Sequence, residues 1–246
     1  MGYHESLTEG RNAVLEAFRS GKTVDRLFVL DGCQDGPVKT ILREAKKQDT
    51  MVQYVKKERL DKLSETKNHQ GVIAYCAACE YAEVSDILEN AKKKGEAPFI
   101  VLLDGIEDPH NLGAIIRTAN QAGAHGVIIP KRRAVGLTAT VARTSAGAVN
   151  YTPVAKVTNL VTVMEDLKKE GMWFVCADMD GEEMYSLNLK GPIGLVIGNE
   201  GEGVSRLVKE HCDMVASIPM KGDIDSLNAS VAMGVLAYEI VRQRRF

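Results

Sequence analysis

The residues best suited to chemistry lie in three polar or glycine-rich stretches. The first runs from Asp104 to Ala119 and carries Asn111 and Arg117. The second, Gly198-Asn199-Glu200-Gly201-Glu202-Gly203, sets a carboxylate among glycines. The third, from Ile218 to Ser230, carries Ser226, Leu227 and Asn228. Glu200 is the obvious chemical base of the set, although it could equally hold a ligand or structure its own loop. Arg117 is a poor base because a guanidinium stays protonated, but it suits an anion. Its neighbours Ile115, Ile116 and Ala119 are apolar, so a charge there needs a partner, a ligand or a groove. Asn111 and Ser226 also fit the ordinary role of helix N-cap. A capping box at Ser226 would need Glu or Gln three residues on, where Ala229 stands. Gly198, Gly201 and Gly203 permit close backbone approach. Their spacing is not that of a dinucleotide fingerprint.

Each stretch follows a short apolar run, which is where parallel sheets place their ligands. Strands are expected at Phe99–Leu103, Gly126–Ile129, Trp173–Ala177, Ile193–Ile197 and Met214–Ile218. Such continuous runs suit a sheet covered on both faces. Helices are expected at Leu112–Ala122, Thr138–Ala146, Asn159–Glu170, Val204–His211 and Leu227–Arg242. The alternation implies an α/β domain over 99–246. Before it, residues 1–79 read as a smaller α/β unit. Its strands are expected at Val24–Leu30, Met51–Val55 and Gly71–Cys76, and its helices at Asn12–Ser20, Val38–Lys47 and Lys57–Ser64. Residues 80–98 read as the linker. It has a helical start at Tyr81–Ala91 and ends in the polar Lys92–Pro98.

Composition narrows the function classes. The 246 residues are 45% apolar and 26% charged, as in an ordinary globular protein. No run reaches the roughly 18 apolar residues of a membrane span, and Met1 to Gly10 has no signal-peptide pattern. The five cysteines point to reduced thiols and a cytoplasmic protein. Cys76 and Cys79 have C-x-x-C spacing with no second pair, so inert thiols are expected rather than a metal site. The histidines show no ligand spacing; His69 and His110 lie in loops and are expected to be bystanders rather than ligand contacts. The net charge of -2 excludes indiscriminate nucleic-acid binding. Between Lys131 and Met164, however, Lys131, Arg132, Arg133, Arg143 and Lys156 stand without an acid, and Arg242, Arg244 and Arg245 close the chain. Local positive surface is what a phosphate backbone needs.

Taken together, Asn111 to Ala119, Gly198 to Gly203, and Ile218 to Ala232 resemble the three motifs of the SpoU/TrmH family. These are RNA ribose 2′-O-methyltransferases of the SPOUT class. Gly10-Arg11-Asn12-Ala13-Val14 and Asn68-His69-Gln70-Gly71-Val72 resemble the small N-terminal domain of the family's ribosomal branch, similar to ribosomal protein L30e. The group resembled most is the bacterial 23S rRNA (guanosine-2′-O-)-methyltransferases.

The resemblance implies a fold and an activity. The fold is a SPOUT α/β domain with a deep trefoil knot, preceded by an L30e-like RNA-binding domain. The activity is S-adenosylmethionine-dependent methylation of a ribose in 23S rRNA or its precursor, by a homodimer without metal. The implied cofactor positions are Gly198, Ile218 and Leu227, and the implied reactive or positioning side chains are Arg117, Glu200, Asn111, Ser226 and Asn228. The family proposal gives the activating role to the arginine matching Arg117. A tRNA substrate is the alternative. A non-catalytic RNA-binding protein is disfavoured, since every motif residue is present. A nicotinamide oxidoreductase is disfavoured too, since the early strand–loop has one glycine where three are needed.

Overall fold

The computed structural model describes residues 6–223 and 226–246. The chain forms two compact units. One comprises residues up to Glu80 with Gly136–Thr140, the first two residues of helix Ala139–Thr144 among them, and the other comprises Tyr81–Val135 with Val141–Phe246, to which the rest of that helix belongs.

The first unit contains β1 (Ser6–Glu9), α1 (Arg11–Arg19), β2 (Val24–Leu30), α2 (Gly36–Lys47), β3 (Met51–Val55), α3 (Lys57–Leu63) and β4 (Val72–Cys76). Its sheet order is β1-β4-β2-β3. Strand β3 runs parallel to β2, while β4 runs antiparallel to β1 and β2. Val14, Phe18, Ile41 and Ala45 of α1 and α2 form one core with Leu27, Val29 and Ala74. Leu60 packs with Phe28 and Ile73 in a second cluster. Both faces of this sheet are therefore covered, which explains its apolar central strands.

The second unit contains α4 (Val84–Lys94), β5 (Phe99–Asp104), α5 (Pro109–Gln121), β6 (Gly126–Pro130), α6 (Ala139–Thr144), β7 (Val154–Val157), α7 (Leu160–Lys169), β8 (Trp173–Glu183), β9 (Ile193–Gly198), α8 (Arg206–Glu210), β10 (Met214–Ser217) and α9 (Ala229–Arg245). The strands form a six-stranded sheet in the order β10-β8-β9-β5-β6-β7. Every neighbouring pair is parallel. The core joins Ile100, Leu102, Ile128, Phe174 and Val196 to Leu160, Met164 and Leu167 of α7. Burying each such side chain contributes about 1.5–3 kcal/mol.

The segment expected as a linker carries α4, and its Ile87 and Ala91 are buried. Ile87 belongs to the second unit's core. It fills the space above Gly126, where a Cβ would come within 2.5 Å of Ile87. Strands β1 and β7 were not expected, and β8 runs six residues beyond Ala177, the expected end. The β8–β10 register jumps at that extension: Val215 pairs with Cys176, but Ala216 pairs with Glu182. Residues 177–181 therefore leave the ladder.

Candidate active site

The ends of β5 and β9 are tied together. Asp104, the buried last residue of β5, accepts a hydrogen bond from the Ser205 amide at 2.8 Å. Gly105 follows with φ +83°, and its carbonyl accepts from Asn199 Nδ2 at 2.9 Å. Asn199 Oδ1 in turn accepts from the amides of Gly201 (2.7 Å) and Glu202 (3.4 Å). Asn199 and Gly203 also exchange backbone hydrogen bonds of 3.1 and 2.8 Å. The six-residue loop is thus closed on Asn199. Gly198 lies beneath the closure. A Cβ there would stand 2.0 Å from the Gly203 carbonyl carbon, so only glycine fits.

Glu200 projects from this loop to meet the other two motifs. Its Oε1 accepts from Asn111 Nδ2 at 3.0 Å, from Asn228 Nδ2, and from the Ala229 amide at 3.4 Å. Asn228 Nδ2 also donates to Asn111 Oδ1 at 3.0 Å. The start of α9 favours a carboxylate through its exposed amides and dipole. Neither expected cap proves to be one. Asp108 caps α5, accepting from the His110 amide at 2.9 Å, and Asn111 sits in the first turn. Asn228 caps α9, its Oδ1 accepting from the Ser230 and Val231 amides, which leaves Ser226 exposed ahead of the helix.

A cavity of about 830 Å3 opens beside Glu200. Gly198, Ile218 and Leu227 line it, with Glu200 and Ser226; Asn111, Asn228 and Arg117 do not. The excursion of β8 supplies a wall with Asp178, Met179 and Asp180. Sequence reasoning missed this wall, because its polar run carries no apolar periodicity. Asp178 is pinned by Lys209 of α8 at 2.7 Å and accepts from the Asp180 amide at 3.0 Å. Burial alone would raise its carboxyl, but these two donors outweigh burial and hold it below the usual carboxylate range. Among the described residues, the side chains lining the cavity include five carboxylates (Asp178, Asp180, Glu183, Glu200 and Glu202) and no Lys or Arg.

Arg117 stands apart. Six residues beyond Asn111, it lies about 9 Å further along α5 and some 240° around it. It is exposed, and no hydrogen bond or ion pair engages it among the described residues. The apolar neighbours therefore do not enclose Arg117, which takes the surface position that a lone arginine ordinarily has. Leu112, Ile115, Ile116 and Ala119 face inward, while His110, Arg117 and Gln121 are exposed.

Comparison with known proteins supplies the family. Residues 98–238 match the SpoU rRNA Methylase family, and residues 7–82 match the family described as RNA 2′-O ribose methyltransferase substrate binding. A Bacillus subtilis relative, the putative TrmH family tRNA/rRNA methyltransferase YacO, is 48% identical over 237 residues, 96% of this chain and 94% of its own. The chain belongs to the SpoU methylase family of RNA methyltransferases. Among solved structures, this SpoU methylase resembles the methyltransferase AviRb of Streptomyces viridochromogenes, crystallised with AdoMet. The TM-score is 0.63 with 27% identity, over 98% of this chain and 91% of AviRb. An AdoMet-bound rRNA methyltransferase of Sinorhizobium meliloti gives a TM-score of 0.61 with 26% identity, over 97% and 87%.

The SpoU methylase's other candidate residues divide. Arg132, Arg133 and Arg143 are exposed, and Lys156 lies over the Tyr81 ring at 5.1 Å. The C-terminal arginines are mostly occupied internally. Arg242 pairs with Glu239 at 2.8 Å. Arg244 donates to the carbonyls of Ala97, Pro98 and Gly191 and covers the Phe99 ring. His69 is buried: it accepts from the Gly71 amide at Nδ1 and faces Asp61 through Nε2, so it shapes its loop. Cys76 is buried, and burial pushes the Cys79 thiol up, away from reactivity. Among the described residues no cluster of His, Cys, Asp and Glu could hold a metal ion. Likewise no helix is long and apolar enough to cross a membrane.

Proposed function

We propose that this SpoU methylase uses S-adenosylmethionine to methylate a ribose 2′-hydroxyl, that of a guanosine, in large-subunit 23S rRNA or its precursor in the cytoplasm. The observation that carries the reading is the place of Glu200. It lines the cavity and also joins Asn111 and Asn228, so one residue connects a ligand-sized space to the polar cluster. The cavity suits the methyl donor: about 830 Å3 lies within the usual ligand range. Gly198 allows close approach, the main chain of Gly198, Ile218 and Leu227 offers contacts, and a carboxylate-lined wall complements a sulfonium cation. In this reading residues 1–79 dock the substrate, and the unit from Tyr81 onward, into whose core α4 of the expected 80–98 linker packs, forms the catalytic domain with its knot. The rRNA substrate is supported by the match of 7–82 to a substrate-binding family and by the near full-length likeness to an rRNA methyltransferase. A homodimer is supported by α9. Its Val231 and Tyr238, two turns apart on one face, are half exposed.

The bound sulfonium supplies an electrophilic methyl group; the chain must orient the ribose and manage its proton. Asn111 and Asn228 fix Glu200 through Oε1, and no hydrogen bond among the described residues engages Oε2. Glu200 then acts as an anchor for the loop and ribose. Arg117 lies outside the cavity of its own chain; in this reading it reaches the ribose across the proposed homodimer, where it binds a substrate phosphate and stabilises the developing alkoxide while the proton passes to water. Ser226, exposed at the cavity edge, offers its hydroxyl to the ribose.

Labelled S-adenosylmethionine should label unmodified large-subunit rRNA at one ribose. Label confined to tRNA would move the substrate to the tRNA branch, and label in no RNA would refute the activity. Glu200→Gln keeps one acceptor oxygen for Asn111 and Asn228 but removes the carboxylate's charge and replaces its second oxygen with an amide donor. It should lose less than about tenfold in kcat. A loss of about 10²-fold or more with cofactor binding intact would make Glu200 the base instead.

A further inference from the structure

The first unit gathers one end of its sheet into a single surface. Glu9 of β1 pairs with Ile73, Val29 of β2 with Val72, and Leu30 of β2 with Val55 of β3. The C-terminal ends of β1, β2 and β3 therefore meet the start of β4. Four segments leave or enter there: Gly10-Arg11-Asn12, Asp31 to Asp35, Lys56-Lys57, and Lys67 to Gly71.

This end is built to hold its shape. The Gly10 amide donates to the Val72 carbonyl, Leu30 to Gly71, and Asp31 to Val55. The Glu9 carboxylate accepts from the Ser64 hydroxyl and from the amides of Glu65 (2.7 Å) and Thr66 (3.2 Å). Arg11 donates from Nε to the Gln70 carbonyl at 3.1 Å and pairs with Asp35 at 2.6 Å. Lys67 and Gln70 take φ values of +59° and +50°, a conformation that side chains seldom adopt unless their surroundings impose it.

The scaffold presents polar side chains that no hydrogen bond or ion pair engages among the described residues. Lys56, Lys57 and Lys67 are exposed and make no ion pair among the described residues. Asn12 and Asn68 are exposed beside them. Tyr54, next to the end of the edge strand β3, is 57% exposed. Two carboxylates lie in the same segments: Asp35 is neutralised by Arg11, and Asp31 is exposed. The balance is positive. Cations for phosphates, amides for base edges and a free aromatic face together suit an unpaired stretch of RNA, whose bases can be splayed and stacked.

We propose that this sheet end is where the first unit grips its RNA. Lys56, Lys57 and Lys67 contact phosphates of a looped segment, Asn12 and Asn68 read base edges, and Tyr54 stacks on a base. The proposal rests on the RNA-methyltransferase reading and deepens it by naming the docking residues.

The test compares the full-length protein with the variant carrying Lys56→Ala, Lys57→Ala and Lys67→Ala, and with the triple Lys→Arg variant. Binding to large-subunit rRNA fragments is measured by filter retention across 50–200 mM salt, and methylation separately. The Ala variant should bind about tenfold or more weaker at 150 mM salt. The slope of log affinity against log salt should shrink by about two to three. AdoMet affinity and melting temperature should stay at wild-type values, and the Lys→Arg variant should bind as wild type. Tyr54→Ala should weaken binding with no change of salt slope. Unchanged affinity and slope in the Ala variant would overturn the proposal. If the wild type binds rRNA through these lysines yet methylates none, the substrate reading fails and the docking surface stands.

Discussion

Replacing Gly198 with alanine is expected to abolish cofactor binding and, with it, methyl transfer. The added Cβ would lie 2.0 Å from the Gly203 carbonyl carbon, 2.1 Å from the Val204 amide nitrogen and 2.3 Å from the Gly203 oxygen. All three are backbone atoms. They are fixed by the Asn199–Gly203 hydrogen bonds and, two residues on, by the Ser205–Asp104 bond. Relief requires the loop to lift, which breaks those bonds and displaces Glu200 from Asn111 and Asn228. Overpacking of this kind costs about 1–3 kcal/mol or more. For a chain of this size that lowers the melting temperature by several degrees. Titration calorimetry with S-adenosylmethionine and a thermal melt read both effects. Gly201→Ala serves as the control: its nearest contact would be Asn199 Oδ1 at 3.4 Å, and binding should survive. Wild-type affinity in Gly198→Ala would remove this loop from the cofactor site.

The legibility of this molecule in its sequence follows from what is local. Strands β4, β5, β6 and β9 announce themselves because each is a short apolar run that is buried or paired along its length, while β2 and β3 carry polar residues among their apolar ones and are marked by those apolar residues alone. Strand β1, Ser-Leu-Thr-Glu, is an edge strand with one apolar side chain, so no periodicity marks it. Strand β7 is four residues of mixed character on the opposite edge of the larger sheet. The extension of β8 is invisible for another reason: its Asp178-Met179-Asp180 excursion is held by Lys209, a residue of α8, rather than by apolar burial. The helix α9 begins at Ala229 instead of Leu227 because Asn228 spends its side chain on the cap.

The candidate site divides in the same way. The glycine loop and the residues around it can be picked out as chemically able, and Gly198 as permissive of close approach. That Glu200 joins Asn111 across 89 positions and Asn228 across 28 follows only from strand order, which no local pattern encodes. Asp104 and Asn199, which tie the loops together, carry no signal beyond being polar residues at the ends of apolar runs. Arg117 shows the reverse error. Its immediate neighbours are apolar, yet the helical period turns it outward with His110 and Gln121, so adjacency misled where periodicity would have served.

That outward position sets the expected result for Arg117→Ala. The side chain packs against no core and makes no ion pair among the described residues, so the variant should fold with an unchanged melting temperature. Arg117 does not line the cavity, so S-adenosylmethionine affinity should also be unchanged. Its proposed task is confined to the substrate phosphate and the alkoxide that forms as the ribose hydroxyl loses its proton. Removing a cation aimed at developing negative charge lowers kcat by about 10²- to 10³-fold. The phosphate contact adds a rise in KM for RNA that grows with salt. Arg117→Lys keeps the charge but loses the planar fork, and should recover part of the rate. Single-turnover methylation at saturating RNA separates the two effects. If Arg117→Ala transfers methyl at the wild-type rate under those conditions, the guanidinium has no part in the chemical step. A pure KM effect would then make Arg117 an RNA anchor, and the alkoxide would have to be met by Glu200 and the amide groups around it.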